Sequence, residues 1–395
     1  MSKRAVICGA FRTPIGRFQG GLAGVRAPQL GAVVVKELLT KTGVDPEQID
    51  EVIFGNVCQA GLQQNPARQA AIFGGVPVET SAMTVNKVCG SGLKAVALAA
   101  QAIKAGDNEC IIAGGFENMS QIPYALLQAR DGYRLGHGQV TDLLVHDGLW
   151  DIYNNFHMGM TAEWVVDTYG VTREEQDAFA VESHRRAVQA WEKGEFDREV
   201  VPVEVPQRKG APVVVGRDEG PRADATIEGL ARLKPAFKRD GGTVTAGNAS
   251  TINDGAAALL VCSEEFAERF ALPVRAIIQG YATGAVDPKE VMMAPVTAVQ
   301  HLQDRALKPV SAYGLIELNE AFAAQSVAVI RQLDVDPTIV NVRGGGVALG
   351  HPIGCSGARI LVTLLHAMED RKERDGLATL CLGGGDAVAM AISLP

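Results

Sequence analysis

Four short stretches set reactive side chains beside glycine: "KVCGSG" (Cys89), "LNEAFA" (Asn319 and Glu320), "GHPIGCSG" (His351) and "CLGGGD" (Cys381). A cysteine at a helix start faces unpaired backbone N–H groups and the positive end of the helix dipole, which favour the thiolate and lower the pKa. The glycines beside Cys89 leave space for a substrate and N–H groups to meet it. His351, held between Gly350 and Pro352, projects an imidazole from a loop and can act as base to a thiol. Cys381 closes an apolar strand before three glycines whose N–H groups can form an anion-stabilising nest. Asn319 can hold a water or an oxygen. Each residue also has a plainer reading: a packed cysteine, a loop histidine, a core cysteine, a helix-capping asparagine. Taken jointly, two thiols and an imidazole on glycine-rich loops suit covalent acyl transfer with a separate proton transfer.

The elements that must position these groups follow from periodicity. "AVICGAF" reads as a buried strand, "APQLGAVVVKELLTKTG" as a helix stopping near Gly43, and "IDEVIFGNV" as the next strand. "NPARQAAIFGG" reads as a helix, "SAMTVNKVC" as a strand running toward Cys89, and "ECIIAGGFENMS" as a buried strand and loop after a long helix. Strands alternating with helices predict an α/β sheet covered on both faces. From about 121 to 250 the chain turns polar, irregular and glycine-rich, which predicts an insertion that covers a site or makes oligomer contacts. Within it, "TREEQDAFAVESHRRAVQAWEKG" predicts a surface helix with a Thr172/Glu175 capping box, an apolar side of Phe179, Val188 and Trp191, and His184 on a solvated face.

The second half echoes the first. "NKVCGSGLKAVALAAQAI" is matched by "GHPIGCSGARILVTLLHAM", and "ECIIAGG" by "ATLCLGGG", in the same order and at similar spacing, which predicts an internally duplicated α/β unit. Cys355 copies the Cys89 pattern, yet an apolar helix follows it and it reads as packing. The crevice between two related halves is where a site is expected.

Composition narrows the function classes. The net charge of −8 is a poor footprint for duplex nucleic acid. Seven widely spaced cysteines without C-x-x-C fit neither a disulfide framework nor a zinc site and suit a reducing cytoplasm. No apolar run reaches the ~18 residues of a membrane span. A basic, acid-free N-terminal stretch hints at a transit peptide, but a strand starting at Ala5 argues against it.

The chain resembles the thiolase family, and within it the acetyl-CoA acetyltransferases. The likeness runs from "AVICGAFRTPIGRF" through "NPARQAA", "NKVCGSGLKAV", "GGFENMS", "NFHMGMTAE", "TAGNAS", "ELNEAFAAQ" and "GGGVALGHPIGCSGARI" to "CLGGGDAVAM". The resemblance implies two βαβαβαββ halves in an α/β/α/β/α arrangement: residues 1–120 completed by about 251–272, and 273–395, with 121–250 as an inserted loop domain. It implies that Cys89 carries an acyl-thioester, that His351 activates it, and that Cys381 exchanges a proton with the α-carbon of the second acyl-CoA. Asn319 would hold a water that forms one oxyanion hole with His351, and the N–H groups of Cys89 and Gly383 would form the other. Leu149, His157, Met158, Arg222 and Ser250 match positions lining the coenzyme A site, Arg222 near the nucleotide and His157 and Ser250 along the pantetheine. The partners implied are acetyl-CoA and CoA, with no metal or further cofactor, in a homotetramer built as a dimer of dimers. The alternatives are a thiolase of broader chain length and a non-catalytic acyl-CoA binder; "GHPIG" and "CLGGG" argue against a ketoacyl-carrier-protein synthase.

Four positions depart from the family's commonest pattern: Gln63, Thr251, the "VMMAPV" stretch at 291–296, and Asp386 beside the Cys381 loop. They bear on acyl-chain length and reaction direction.

Overall fold

The computed structural model describes residues 3–306 and 308–395. In the first half, β1 (Ala5–Arg12), α1 (Ala27–Thr42), β2 (Glu51–Gly55), α2 (Pro66–Phe73), β3 (Ser81–Val85), α3 (Ser91–Ala105) and β4 (Cys110–Asn118) alternate. Local chemistry sets the limits. Pro28 sits in the first turn of α1, where no N–H is needed, and Gly43 ends it at φ 69°, returning its N–H to Leu39. The segment between β4 and residue 250 carries short strands and two longer helices, α4 (Gly159–Tyr169) and α5 (Arg173–Glu192). Then come β5 (Asn253–Ser263), β6 (Ala276–Ala285), α6 (Ala294–Ala306), β7 (Leu315–Leu318), α7 (Ala323–Leu333), α8 (Ile353–Arg371), β8 (Asp375–Leu382) and β9 (Asp386–Ser393).

Strand pairing repeats. The order β3-β2-β4-β5-β1 has two parallel pairs followed by two antiparallel ones. Residue Val340, β7, β8, β9 and β6 follow the same sequence of parallel and antiparallel pairs. The two half-sheets are continuous, because Val6 and Ile7 pair with Ile277 and Ala276. Helices α1 and α2 cover the outer face of the first half-sheet, with Leu30, Val34, Leu38 and Ala70 packed on Phe54 and Phe116. Helices α6 and α7 cover the second. Helices α3 and α8 lie between the half-sheets, in a core that draws on both halves.

These two central helices meet backbone to backbone. A β-carbon added to Gly92 would stand 2.7 Å from the Ala358 nitrogen, and one added to Gly357 would stand 2.5 Å from the Leu93 nitrogen. This reciprocity makes Gly92 and Gly357 equivalent under the internal duplication. Cys89 then corresponds to Gly354, and Cys355 to Gly90. The echo of cysteines in the sequence is therefore offset by one residue. Cys355 points into the central core, fully buried, and packing is its role.

The long helix α5 corrects one sequence expectation. Its capping box is present, Thr172 accepting from the Glu175 N–H and Glu175 from the Thr172 N–H. Its buried stripe, however, is Gln176, Ala180, Ser183, His184 and Ala187, while Phe179, Val188 and Trp191 are only partly covered. His184 is buried and not solvated. Small residues face inward because backbone packs there: a β-carbon on Gly344 would reach 2.5 Å from the Ser183 oxygen.

Gly357→Val places branched carbons against the Leu93 backbone, which cannot move as a side-chain tip would. Expected is a loss of about 1–3 kcal/mol or more of unfolding free energy, read from a denaturant titration.

Candidate active site

The N-terminal ends of α3 and α8 open on one cavity of about 570 Å³. Its walls include Cys89, His351, Cys381 and Gly383, together with Leu149, His157, Met158, Arg222 and Ser250. Asn319 stands behind this wall, fully buried. The candidates drawn from both halves and from the inserted segment are thus brought together.

The Cys89 turn is tightly specified. Val88 has φ 46°, rare for a β-branched residue and a mark of a backbone held by its surroundings. The Val88 N–H donates to Asn86 Oδ1 at 2.9 Å, the Lys87 N–H to Ser91 Oγ at 2.8 Å, and Ser91 Oγ to the Val88 carbonyl at 2.6 Å. Cys89 is the one cysteine not fully buried, and the nearby N–H groups of Gly383 and of Cys89 itself favour its thiolate. Burial nevertheless dominates and pushes the thiol up to about 12. The lowered value expected from a helix start does not hold. Cys89 lies before the N-cap Gly90, and two N–H donors do not offset the loss of water.

A base must therefore take the proton, and His351 is prepared for it. Burial, with Arg359 nearby, pulls its imidazole down to about 3, so the ring is neutral. Ser356 Oγ donates to the Pro352 carbonyl at 2.8 Å, so it can only accept from His351 Nδ1, 2.6 Å away. The proton is thereby fixed on Nδ1, and Nε2 keeps its lone pair. The His351 N–H donates to Asn253 Oδ1 at 2.9 Å, and Thr251 Oγ1 donates to the same oxygen at 2.8 Å. That gives the departure at Thr251 a local role. Asn319 Nδ2 lies 3.4 and 3.5 Å from the two ring nitrogens. Near-equal distances place it over the ring and not on either lone pair. It caps no helix, since α7 starts after Phe322.

Cys381 is buried at the end of β8, and burial, then the neighbouring Cys89, raises its thiol. Its sulfur touches Met292 Sδ at 3.8 Å. Val291 and Met292, from the stretch that departs from the family pattern, both line the cavity. Asp386 pairs with Lys87. At the fourth departure, Gln63 holds φ 69°, a conformation that favours glycine, and nothing in the structure explains the glutamine there.

In the outer cavity, Nδ1 of His157 accepts from the Gly159 N–H at 3.0 Å, and the ring stacks on Phe237 at 4.8 Å. Burial lowers its pKa, so the ring is neutral with its proton on Nε2. His184 Nδ1 accepts from the Arg222 N–H at 3.2 Å, and burial followed by Arg222 pulls the imidazole down to about 4. Sequence reasoning missed this histidine. The signal was the stripe of small and polar residues on its helix, at helical spacing.

Glu117 was also missed. Fully buried, it accepts from the N–H groups of Val57, Cys58 and Gly354 at 2.9, 3.2 and 3.0 Å and from Asn56 Nδ2 at 2.7 Å. It ties the loop after β2 to the His351 loop, and burial pushes its carboxyl up to about 8. No sequence motif distinguishes such a carboxylate from a loop acid.

Ser356→Ala removes the acceptor that fixes the imidazole tautomer. Expected is a fall in kcat of about 10- to 100-fold, part of the roughly 10²–10⁴ that a positioned base contributes, with KM for CoA unchanged. Steady-state kinetics in both substrates check it.

Models of known families match nearly the whole chain: "Thiolase, N-terminal domain" over residues 5–265 and "Thiolase, C-terminal domain" over 272–394. An acetyl-CoA acetyltransferase of Pseudomonas aeruginosa is 56% identical over 388 residues, covering 98% of each chain. A probable acetyl-CoA acyltransferase of Staphylococcus aureus is 54% identical over 390 residues, covering 99% of each. The crystal structure of the Bacillus anthracis acetyl-CoA acetyltransferase superposes with a TM-score of 0.98 at 45% identity, covering 100% of this chain and 99% of that one. With its duplicated sheet, its central helix pair and both family domains in order, this chain belongs to the thiolase family.

Proposed function

We propose that this chain is an acetyl-CoA C-acetyltransferase, condensing two acetyl-CoA reversibly to acetoacetyl-CoA and CoA. The observation that carries the reading is the convergence of two thiols of unequal exposure and one neutral, tautomer-fixed imidazole on a single cavity. His351 Nε2 takes the Cys89 proton as the sulfur attacks the thioester carbonyl. CoA leaves with that proton, and the acetyl group stays on Cys89. The oxyanion of this step is met by the N–H groups of Cys89 and Gly383. His351 Nε2, free again, takes the Cys381 proton, to be returned when Cys89 leaves, and the Cys381 thiolate removes an α-proton from the second acetyl-CoA. The carbanion attacks the acetyl carbon, and Cys89 leaves, reprotonated from Cys381. The enolate oxygen is received by His351 and a water held by Asn319. Raised thiol values suit this chemistry, because a thiolate whose acid is weak is a stronger base toward a weakly acidic C–H. Arg222 at the mouth is suited to the nucleotide phosphates, and His157, Ser250, Leu149 and Met158 to the pantetheine.

Short acyl groups are favoured by Met292, whose thioether fills the space against Cys381. The named relatives support the same substrate. The protein acts as a homotetramer in the cytoplasm. Exposed apolar residues of the inserted segment (Leu135, Ile152, Tyr153) and the free edge of β3 support self-association, and among the described residues no helix is long and apolar enough to cross a membrane.

Radiolabelled acetyl-CoA is expected to leave an acid-stable thioester that Cys89→Ser abolishes. Cys381→Ser should keep the label and lose condensation. No label on the native protein would favour an acyl-CoA binder, and equal loss of both steps would reverse the roles given to the two cysteines.

Met292→Ala should raise kcat/KM for longer 3-ketoacyl-CoA relative to acetoacetyl-CoA by about ten-fold. A native enzyme that already prefers eight or more carbons would instead support the thiolase of broader chain length.

A further inference from the structure

The N–H groups that favour the Cys89 thiolate come from different halves of the chain, Cys89 and Gly383, and Gly383 packs beside the Cys89 turn, where an added β-carbon would stand 3.3 Å from Val88. Their register depends on holding two loops together. The second loop has no side chains to hold it, since residues 383–385 are all glycine, and Gly384 and Gly385 sit at φ 90° and 86°. Asp386 follows immediately and Lys87 lies two residues before Cys89; the two form an ion pair across the halves. Asp386 Oδ1 also accepts the Ala387 N–H at 2.7 Å, which fixes the carboxylate to the start of β9. Lys87 donates its own N–H to Ser91, within the Cys89 turn. Both ends of the pair are thus anchored to backbone next to the N–H groups in question. Both side chains are about three-quarters covered, at 24% and 28% exposure, so water screens the pair less than an open surface bridge. Lys94, further along α3, is a second ammonium near Asp386 and feels both partners.

We propose that the Lys87–Asp386 ion pair is a positioning clamp that keeps the Gly383 N–H aligned on Cys89 and so sets the oxyanion site. Neither side chain lines the cavity. They act through the two loops, and the acidic residue after the glycines stands opposite a lysine. The clamp rests on the reading of Cys89 as acyl acceptor, whose failure shows separately as a native protein that takes no acetyl label.

The test uses the full-length protein and four forms: native, Asp386→Asn, Lys87→Gln, and the exchange Lys87→Asp with Asp386→Lys. Each single variant is expected to lower kcat about ten-fold, a fraction of the roughly 100- to 1,000-fold cost of losing one oxyanion donor outright. KM for CoA stays unchanged, because its proposed contacts lie elsewhere in the cavity. Alkylation of Cys89 by iodoacetamide slows in parallel. The exchange variant keeps the ion pair but not the Ala387 contact, and it recovers part of the lost kcat, which a general effect on folding would not produce. Native kcat in both single variants, or an exchange variant no better than either single, overturns the clamp.

Discussion

Everything at the site depends on how closely two helix backbones approach. Gly92 and Gly357 let α3 and α8 cross with no side chain between them. The crossing brings both helix N-termini to one place, and with them Cys89 from one half and the His351 loop from the other. A neighbouring strand shares the constraint. A β-carbon on Gly115 would stand 2.0 Å from the Gly354 oxygen, and Glu117, two residues further on, receives the Gly354 N–H. Sheet, helices and loop are thus stacked at backbone distance. Larger side chains at any of these glycines would push the imidazole and the two sulfurs apart.

Closeness of packing also sets the electrostatics. At rest the two thiols and the imidazole are uncharged, because burial disfavours each ionised form. A buried neutral cluster costs far less than a buried ion pair. Charge then arises only as the reaction proceeds, where oriented N–H groups can receive it without reorganising. Arg359, buried on α8, helps keep His351 neutral, and other permanent charges dock the fold. Arg12 is paired with Glu199 at 2.7 Å and with Asp218 at 2.7 Å, and these buried bridges dock the inserted segment on the core.

Much of this was legible in the sequence. The alternation of strand and helix, the insertion, the duplication and the four glycine-flanked reactive stretches all leave one-dimensional marks, since each rests on local periodicity or backbone freedom. What the sequence hid depends on the third dimension. His184 looked like a residue on a charged helix, because the face it shares with Ala180 and Ala187 is small and polar where a core face is expected to be large and apolar. Glu117 acts by hydrogen bonds to loops far away in the chain, and Ser356 by a bond to His351 that only the turn at the start of α8 makes. The depressed thiol pKa read from a helix start was outweighed by burial, a quantity no motif encodes. The two cysteines aligned as letters are not aligned as backbone, since the helix contact fixes a register one residue away.

The same crossing bears on how the molecule unfolds. By strand pairing the chain is two copies of one module. Helix α3, from the first copy, and α8, from the second, are buried against each other and against both half-sheets, and β1 hydrogen-bonds β6 across the boundary. Either copy alone would expose the apolar face of its central helix and a bare strand edge. The repeat is therefore a unit of architecture without being a unit of cooperativity: the two halves melt together, and a chain cut between them would regain order only by reassociating.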